Sequence, residues 1–325
     1  MLATTQEANE YRKNFHSYYH QKIVGGLARF EEARKAELVK WSILVGFAVL
    51  TVIIGIIYII YLSSINPTLW KGKDSPGELM VYAVIGITSL WLYFAHWVSK
   101  KFENKVKETI MDAFLAFFGD FSWSCKSSIS EEEINESKLV SNYNRFHSDD
   151  YFEGTHKGLK VVISENKLVR KGNKSSTTVF EGLFIKMDLN KRFLGHTIVF
   201  EDNLFKSLLT QTLHPSMEKV ELEDPEFNKM FDVYTQDQVE ARFILTTTFI
   251  ERFKNLRAVY KSKNIRASFL NNSILIALPC KKDMFLLGKL TKPIVDAGEF
   301  QLLFEEFVAV LSLAELLNLD SKTGL

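Results

Sequence analysis

The sequence predicts an α+β protein with an N-terminal two-helix transmembrane hairpin and a cytoplasmic domain that combines an antiparallel β-sheet with a C-terminal helix. Two uncharged apolar runs, residues 41–62 and 79–98, predict the hairpin, because a helix needs about 20 apolar residues to cross a bilayer. Alternating apolar and polar residues after Tyr151 predict strands, since successive side chains of a strand point to opposite faces. An apolar run over residues 299–319 predicts the closing helix.

These features divide the chain into four predicted segments. A cytoplasmic amphipathic helical segment (1–40) precedes the hairpin (41–98), a helical extension and connector (99–150) follows it, and the α+β domain occupies 151–325. Residues 108–325 carry 27 Lys and Arg against 31 Asp and Glu. Nucleic-acid binding needs a basic surface that neutralises phosphates, so we expect no nucleic-acid partner.

The segment before the first span interleaves aromatic and basic residues over positions 6–40. One interpretation is an interfacial helix, with its rings at the level of the lipid headgroups. The other is a helix that packs on the soluble domain or on a partner. We expect the Gly25-Gly26 pair to break or bend this helix, since each glycine costs about 1 kcal/mol in a helix interior.

Basic residues are concentrated on the two flanks of the hairpin. Seven Lys or Arg lie between residues 12 and 40 and four between 100 and 107, whereas the loop at 63–78 has two. The positive-inside rule therefore places both termini in the cytoplasm. No apolar segment precedes residue 41, so we expect the first span to act as its own targeting signal.

The second span is predicted to continue as a helix beyond Val98. Apolar residues recur every three to four positions from Val106 to Phe117, which is the spacing of one helix face. The pair Gly119-Asp120 is a plausible helix end. We therefore expect this helix to carry an apolar stripe from the membrane into the soluble core.

Turn residues delimit the predicted strands. The pairs Lys157-Gly158 and Gly172-Asn173 predict two turns, and Asn271-Asn272 predicts a hairpin over residues 265–278. We expect six to eight short strands in all. Strands followed by a closing helix suggest a pleckstrin-homology-like barrel, although a predicted helix around residues 247–261 interrupts that order.

Several short motifs resemble a bacterial membrane-protein family that is catalogued only as a domain of unknown function. The likeness covers about residues 40–285 and rests on these segments: Phe180–Phe184, Asn190–Phe193 with Gly195 and Thr197, Leu222–Phe227, Phe231–Tyr234 and Asp237–Phe243. The resemblance implies two spans near the N-terminus and a cytoplasmic domain, and it places the chain in the bacterial inner (plasma) membrane. It implies no activity.

Acidic residues between positions 221 and 240 allow two interpretations. Asp224 before Pro225 is typical of a helix start, where a side chain caps free amides and proline fits the first turn. The second interpretation is a divalent-metal site built from the acidic set, which comprises Glu221, Glu223, Asp224, Glu226, Asp232, Asp237 and Glu240. The set lacks the alternating spacing and central glycine of a calcium loop, and we predict no cofactor.

Basic residues exceed acidic ones from residue 252 to residue 282, where no Asp or Glu occurs. One hypothesis is a patch that binds anionic lipid headgroups or another membrane protein, and the alternative is an ordinary solvated face. The predicted patch consists of Lys254, Arg257, Lys261, Lys263, Arg266, Lys281 and Lys282.

No catalytic motif is present: the chain lacks a Gly-x-Ser-x-Gly elbow, a phosphate-binding loop and a His-Glu-x-x-His pair. Cys125 and Cys280 are typical of unpaired thiols in a reducing compartment. We therefore expect a membrane-anchored binding or scaffolding protein, whose partners are the lipid bilayer, another membrane protein or further copies of itself. The alternatives are an enzyme that acts at the membrane surface and a transport or channel subunit.

Overall fold

The computed structural model forms two compact units. The sheet unit comprises Met1–Tyr19, Met111–Phe285 and Ala297–Leu325, and the hairpin unit comprises His20–Ile110 and Leu286–Asp296. The residues that the structure describes are 6–72, 75–125, 127–172, 175–189, 192–201, 216–280, 285, 288–294 and 297–322.

Two long helices dominate the N-terminal third of the chain. Helix α1 (Gln6–Tyr18) leads through a π-helical segment (Tyr19–Ile23) into α2 (Val24–Ile65). A 3₁₀ turn (Pro67–Trp70) precedes α3 (Pro76–Leu115). The predicted continuation of the helix beyond the second apolar run is therefore confirmed.

The predicted break at Gly25-Gly26 is wrong, because both glycines lie inside α2. The irregularity lies earlier, in the π-helical segment. Four buried residues spaced four apart explain its position: Phe15, Tyr19, Ile23 and Leu27. In an α-helix of 3.6 residues per turn, residues spaced four apart move gradually around the helix surface. The wider π turn brings them back towards one face.

The C-terminal half contributes a short segment to the hairpin unit. Arg34 is buried and its Nη1 donates to the carbonyl oxygen of Leu290 at 2.9 Å. The amide of Ile294 donates to a carboxylate oxygen of Glu31 at 3.2 Å. Residues 288–294 are thus held against α2 by polar contacts.

The sheet unit contains nine strands among the described residues. They are β1 (Ser122–Ser124), β2 (Arg145–His156), β3 (Leu159–Lys171), β4 (Ser176–Asp188), β5 (Thr197–Glu201), β6 (Glu218–Val220), β7 (Phe231–Thr235), β8 (Arg266–Leu270) and β9 (Ser273–Pro279). Its remaining helices are α4 (Glu131–Ser137), α5 (Pro225–Met230), α6 (Gln238–Ile244), α7 (Thr247–Val259) and α8 (Ala297–Lys322).

The strands form one antiparallel open sheet in the order β1-β2-β3-β4-β9-β8-β5-β7-β6. The predicted antiparallel sheet is confirmed, but the pleckstrin-homology-like barrel is wrong, because β1 and β6 lie at opposite edges and do not pair. Two strands were missing from the prediction, β1 and β7.

Both faces of the sheet are covered. Successive residues of β3, Val162 and Ile163, lie on opposite faces and both are buried. Val162 belongs to an apolar cluster with Ile134 of α4. On the other face Phe152 of β2 contacts Phe307 of α8, with ring centroids 5.4 Å apart. The predicted closing helix is therefore a core element.

Helix α1 packs on the end of the chain within the sheet unit. The ring of Phe15 stacks on Phe304 at 4.1 Å between centroids, and Arg12 forms an ion pair with Glu305 at 2.7 Å. Tyr18 donates a hydrogen bond to the carbonyl of Ala113 at 2.7 Å. Of the two interpretations of the N-terminal segment, packing on the domain that contains the sheet is confirmed for α1.

The hairpin turns predicted at Lys157-Gly158 and Asn271-Asn272 are confirmed. Asn173 of the third predicted turn lies outside the described residues. Gly182, in the first motif of the family resemblance, has φ +153° in the middle of β4. A Cβ atom there would lie 2.1 Å from the carbonyl oxygen of Leu278 on β9, so only glycine allows this approach of the two strands.

We predict that Gly182→Ala lowers the free energy of unfolding by about 3 kcal/mol or more, because strain at a positive φ adds to a backbone overlap. The measurement is the midpoint of thermal unfolding of the full chain in detergent. Gly25→Ala is the matched control, since a Cβ at Gly25 meets no atom within 4 Å. Equal midpoints for the two variants would contradict the prediction.

Candidate membrane anchor and binding surfaces

The two long helices make a close contact midway along the predicted spans. A Cβ atom on Gly55 would lie 2.6 Å from Cγ2 of Val84, so the absence of a side chain lets α2 and α3 approach. Phe47 and Trp91 add a stacked aromatic contact with centroids 5.2 Å apart. Small residues at such positions are typical of helix pairs that associate in lipid.

The loop between the helices is closed by Trp70. Its Nε1 donates to the hydroxyl oxygen of Ser63 at 2.9 Å. A Cβ atom on Gly77 would lie 2.7 Å from the indole ring, so the ring covers the start of α3. One tryptophan thus ties the end of α2 to the beginning of α3.

Most of the apolar surface of these helices contacts no protein. In its most apolar stretch, the first helix has only 11% of its residues buried, and the second has 6%. Ile57 and Tyr93, for example, are 62% and 63% exposed. By length and composition both helices can cross a membrane, whereas the core helix of a soluble protein would be mostly buried.

The predicted basic patch is divided by the structure into paired, buried and exposed residues. Lys254 forms ion pairs with Asp224 and Glu226 at 3.2 and 3.0 Å. Arg257 pairs with Glu201 at 2.5 Å. These two cations are therefore neutralised within the domain.

Arg266 does not belong to a surface patch, so its place in the predicted patch is wrong. Its side chain is buried on β8, where Nη1 donates to the carbonyl oxygen of Leu139. Burial lowers the pKa of Arg266 to about 10. Lys261 and Lys263 are exposed, as predicted, whereas Lys281 and Lys282 lie outside the described residues.

Two of the acidic motif residues, Asp224 and Asp237, act as helix caps. The carboxylate of Asp224 accepts hydrogen bonds from the amides of Glu226 and Phe227, and Asp237 caps α6 in the same way. The bond from the Phe227 amide is the main cause that lowers the pKa of Asp224. The capping interpretation is confirmed. Within the described ranges, no three His, Cys, Asp or Glu side chains are grouped to hold a metal ion.

A small polar cleft lies beside α4 and is lined by Glu133, Lys186 and Ser268 among others. Its volume of about 40 Å³ has room for about three water molecules. Behind it, Nε2 of His196 lies 2.8 Å from Oγ of Ser268. A second hydrogen bond joins the imidazole to the backbone of Ser137.

This arrangement determines which nitrogen of the imidazole carries the proton. A backbone carbonyl can only accept, so the ring proton faces Ser137 and Nε2 accepts from the hydroxyl of Ser268. Burial lowers the pKa of His196 to about 4, partly offset by the bond to Ser137. A neutral imidazole can activate a serine, but Ser268 is only 1% exposed. The hydrogen bond between His196 and Ser268 therefore satisfies two buried polar side chains.

The two cysteines differ in environment and are not bonded to each other. Cys125 is exposed and Cys280 is half-buried, and both are free. Burial raises the pKa of the Cys280 thiol to about 12. The expectation of unpaired thiols is confirmed, and Cys125 is the more accessible of the two.

Three exposed apolar residues of the sheet unit lie on two neighbouring segments of the chain. Leu194, Val239 and Phe243, here called the apolar corner, are 87%, 65% and 59% exposed. The carboxylate of Glu240 joins the two segments, accepting from the amide of Leu194 at 2.9 Å and from that of Gly195 at 3.0 Å. Sequence reasoning missed this surface, because apolar residues spaced four apart on a helix usually face a core.

Comparison with known proteins assigns no activity. A family described as "Protein of unknown function (DUF3137)" matches residues 178–319. The match supports the resemblance over its second half and does not include the two apolar helices. No curated protein matches the chain.

One solved structure is similar, the crystal structure of the mycobacterial trehalose monomycolate transport factor A, TtfA. The identity is 12%, the TM-score is 0.31, and the alignment covers 59% of this chain and 88% of that one. A similarity at this level carries no argument about the function of the present chain.

We predict that Gly55→Leu lowers the stability of the helix pair by about 1–3 kcal/mol, because the added side chain overlaps Val84. The measurement is the unfolding midpoint of the full chain in detergent. Gly46→Leu is the matched control, since a Cβ at Gly46 meets nothing within 4 Å. If Val84→Ala restores the midpoint of the Gly55 variant, the overlap is the cause; equal losses at both glycines would refute it.

We predict that the free energy of unfolding falls as the pH is lowered from about 6.5 to about 4. His196 alone should account for on the order of 3 kcal/mol of this loss. The unfolded chain binds a proton on this residue near pH 6.5, whereas the folded chain resists it. The measurement is the unfolding midpoint against pH for the parent and for His196→Gln. The variant should lose this part of the slope, and an unchanged slope would disprove the assignment. The same substitution at the exposed His20 is the control.

Proposed function

We propose that this chain is a membrane-anchored binding protein of the bacterial inner membrane, with both termini in the cytoplasm and its sheet unit available for partners there. The observation that carries the proposal is the exposed apolar surface of the two long helices, which are 11% and 6% buried in their most apolar stretches. Water disfavours such a surface by roughly 25 cal/mol per Å², and a bilayer removes this cost.

The orientation rests on charge. Basic residues flank the outer ends of the two runs and are nearly absent from the loop between them, and this bias sets the orientation of membrane proteins. The helices make close contact at Gly55, which suits an anchor rather than two independent spans. The binding role is supported by the apolar corner, because large exposed apolar groups outside a membrane segment mark interaction sites.

We predict that a membrane-impermeant maleimide labels Ser64→Cys in intact cells, whereas it labels the native Cys125 only after permeabilisation. Ser64 is exposed just after the first apolar run, in the loop expected outside. Cys125 is exposed in the sheet unit, which is expected inside. The measurement is the mass shift of the full chain recovered from the membrane fraction.

The Cys125→Ser variant identifies the labelled site and controls for Cys280, and the parent chain controls for the added cysteine at position 64. Labelling of Cys125 in intact cells would reverse the orientation. Recovery of the unmodified chain in the alkaline-soluble fraction would exclude the anchor itself.

A further inference from the structure

The side chain of Arg266 is a buried cation that has no carboxylate partner among the described residues. It lies on β8 and is 7% exposed. Its Nη1 atom donates to the carbonyl oxygen of Leu139, which carries no net charge. Taking a charge out of water is costly unless an opposite charge compensates it. At Arg266 the part of the chain that the structure describes does not supply this opposite charge.

One edge of the Arg266 guanidinium is free. Nε is buried and has no hydrogen-bond partner, and Nη2 donates to no described residue either. These two nitrogens form the side edge of the guanidinium, whose parallel N–H groups match the two oxygens of a carboxylate. The side chain is not sealed from solvent, because 7% of its surface stays exposed.

Two other arginines of this chain use the same edge to hold a carboxylate. Nε and Nη2 of Arg12 donate to Glu305 at 2.9 and 2.7 Å. The same two atoms of Arg34 donate to Glu31 at 2.8 and 2.7 Å. In both cases the chain itself provides the carboxylate, whereas the equivalent edge of Arg266 is left without one among the described residues.

We infer that Arg266 binds the carboxylate group of a small molecule on its Nε–Nη2 edge. The carboxylate accepts one hydrogen bond from each nitrogen, as Glu305 does from Arg12. A carboxylate fits better than a phosphate group, because it carries one negative charge, which one guanidinium neutralises. A phosphate group near neutral pH carries about −1.5 to −2. This site does not depend on the proposed membrane anchor.

The site links the ligand to the segment that follows α4. The guanidinium that takes the carboxylate also holds the carbonyl oxygen of Leu139, two residues beyond the end of α4 at Ser137. Leu139 packs in the same apolar cluster as Ile134 of α4. A bound carboxylate compensates the buried charge beneath this segment, so the ligand stabilises the folded sheet unit.

The test measures the unfolding midpoint of the full chain in detergent near neutral pH, while sodium acetate replaces sodium chloride at constant ionic strength. A ligand that binds only the folded chain raises the midpoint as its concentration exceeds the dissociation constant. We expect a rise of several degrees in the parent and none in Arg266→Lys. Lysine keeps the charge and a donor for Leu139, but it lacks the parallel pair of N–H groups.

Ser164→Ala is the matched control, because the Ser164 hydroxyl is also buried without a partner but carries no charge. This variant should keep the full response to acetate. No rise in the parent, or an equal rise in Arg266→Lys, would overturn the inference. A larger rise with sodium phosphate than with acetate would overturn the choice of a carboxylate.

A second measurement does not depend on the folding of the lysine variant. In the parent chain labelled with ¹⁵N-arginine, acetate should shift the Nε–H resonance of one arginine in a saturable manner, whereas chloride should not. A titration that shifts no Nε–H resonance would contradict the site.

Discussion

The apolar surface that α2 and α3 leave uncovered is the constraint on which the remaining structure depends. A span in lipid must satisfy its backbone internally, which a helix does and an irregular segment does not. Under the proposed anchor, this requirement accounts for two continuous helices and for an irregular turn that is confined to the loop, at Pro67–Trp70. The buried contact from Arg34 to Leu290 lies before the first apolar run.

The sheet unit is subject to a different requirement, which glycine, arginine and phenylalanine residues meet. Its sheet is buried on both faces, so every strand in the middle must present side chains to two apolar layers. Gly182 lets β4 approach β9 closely, and Arg266 satisfies the carbonyl of Leu139 inside the core. Aromatic contacts such as Phe152 with Phe307 join the sheet to the last helix. The exposed side chains described above lie on loops and short helices at the edge of the sheet unit.

Local patterns in the sequence were sufficient for features that depend on neighbouring residues. The apolar runs, the Asn271-Asn272 turn and the Asp224 cap were predicted because their causes lie within a few positions. The barrel, the glycine break and the surface position of Arg266 were wrong, because closure, helix continuity and burial depend on residues far away in sequence. The apolar corner was missed for the same reason: nothing local distinguishes an exposed Phe243 from a buried one.

The ion pair between Arg12 and Glu305 joins residues 293 positions apart, and this affects the order of biosynthesis. The ribosome releases α1 first, then α2 and α3, and α8 after them. The aromatic surface around Phe15 therefore stays uncovered until Phe304 has been made. The sheet unit can close only after both long helices have been synthesised, so a chain that stalls before α8 leaves this unit unfinished.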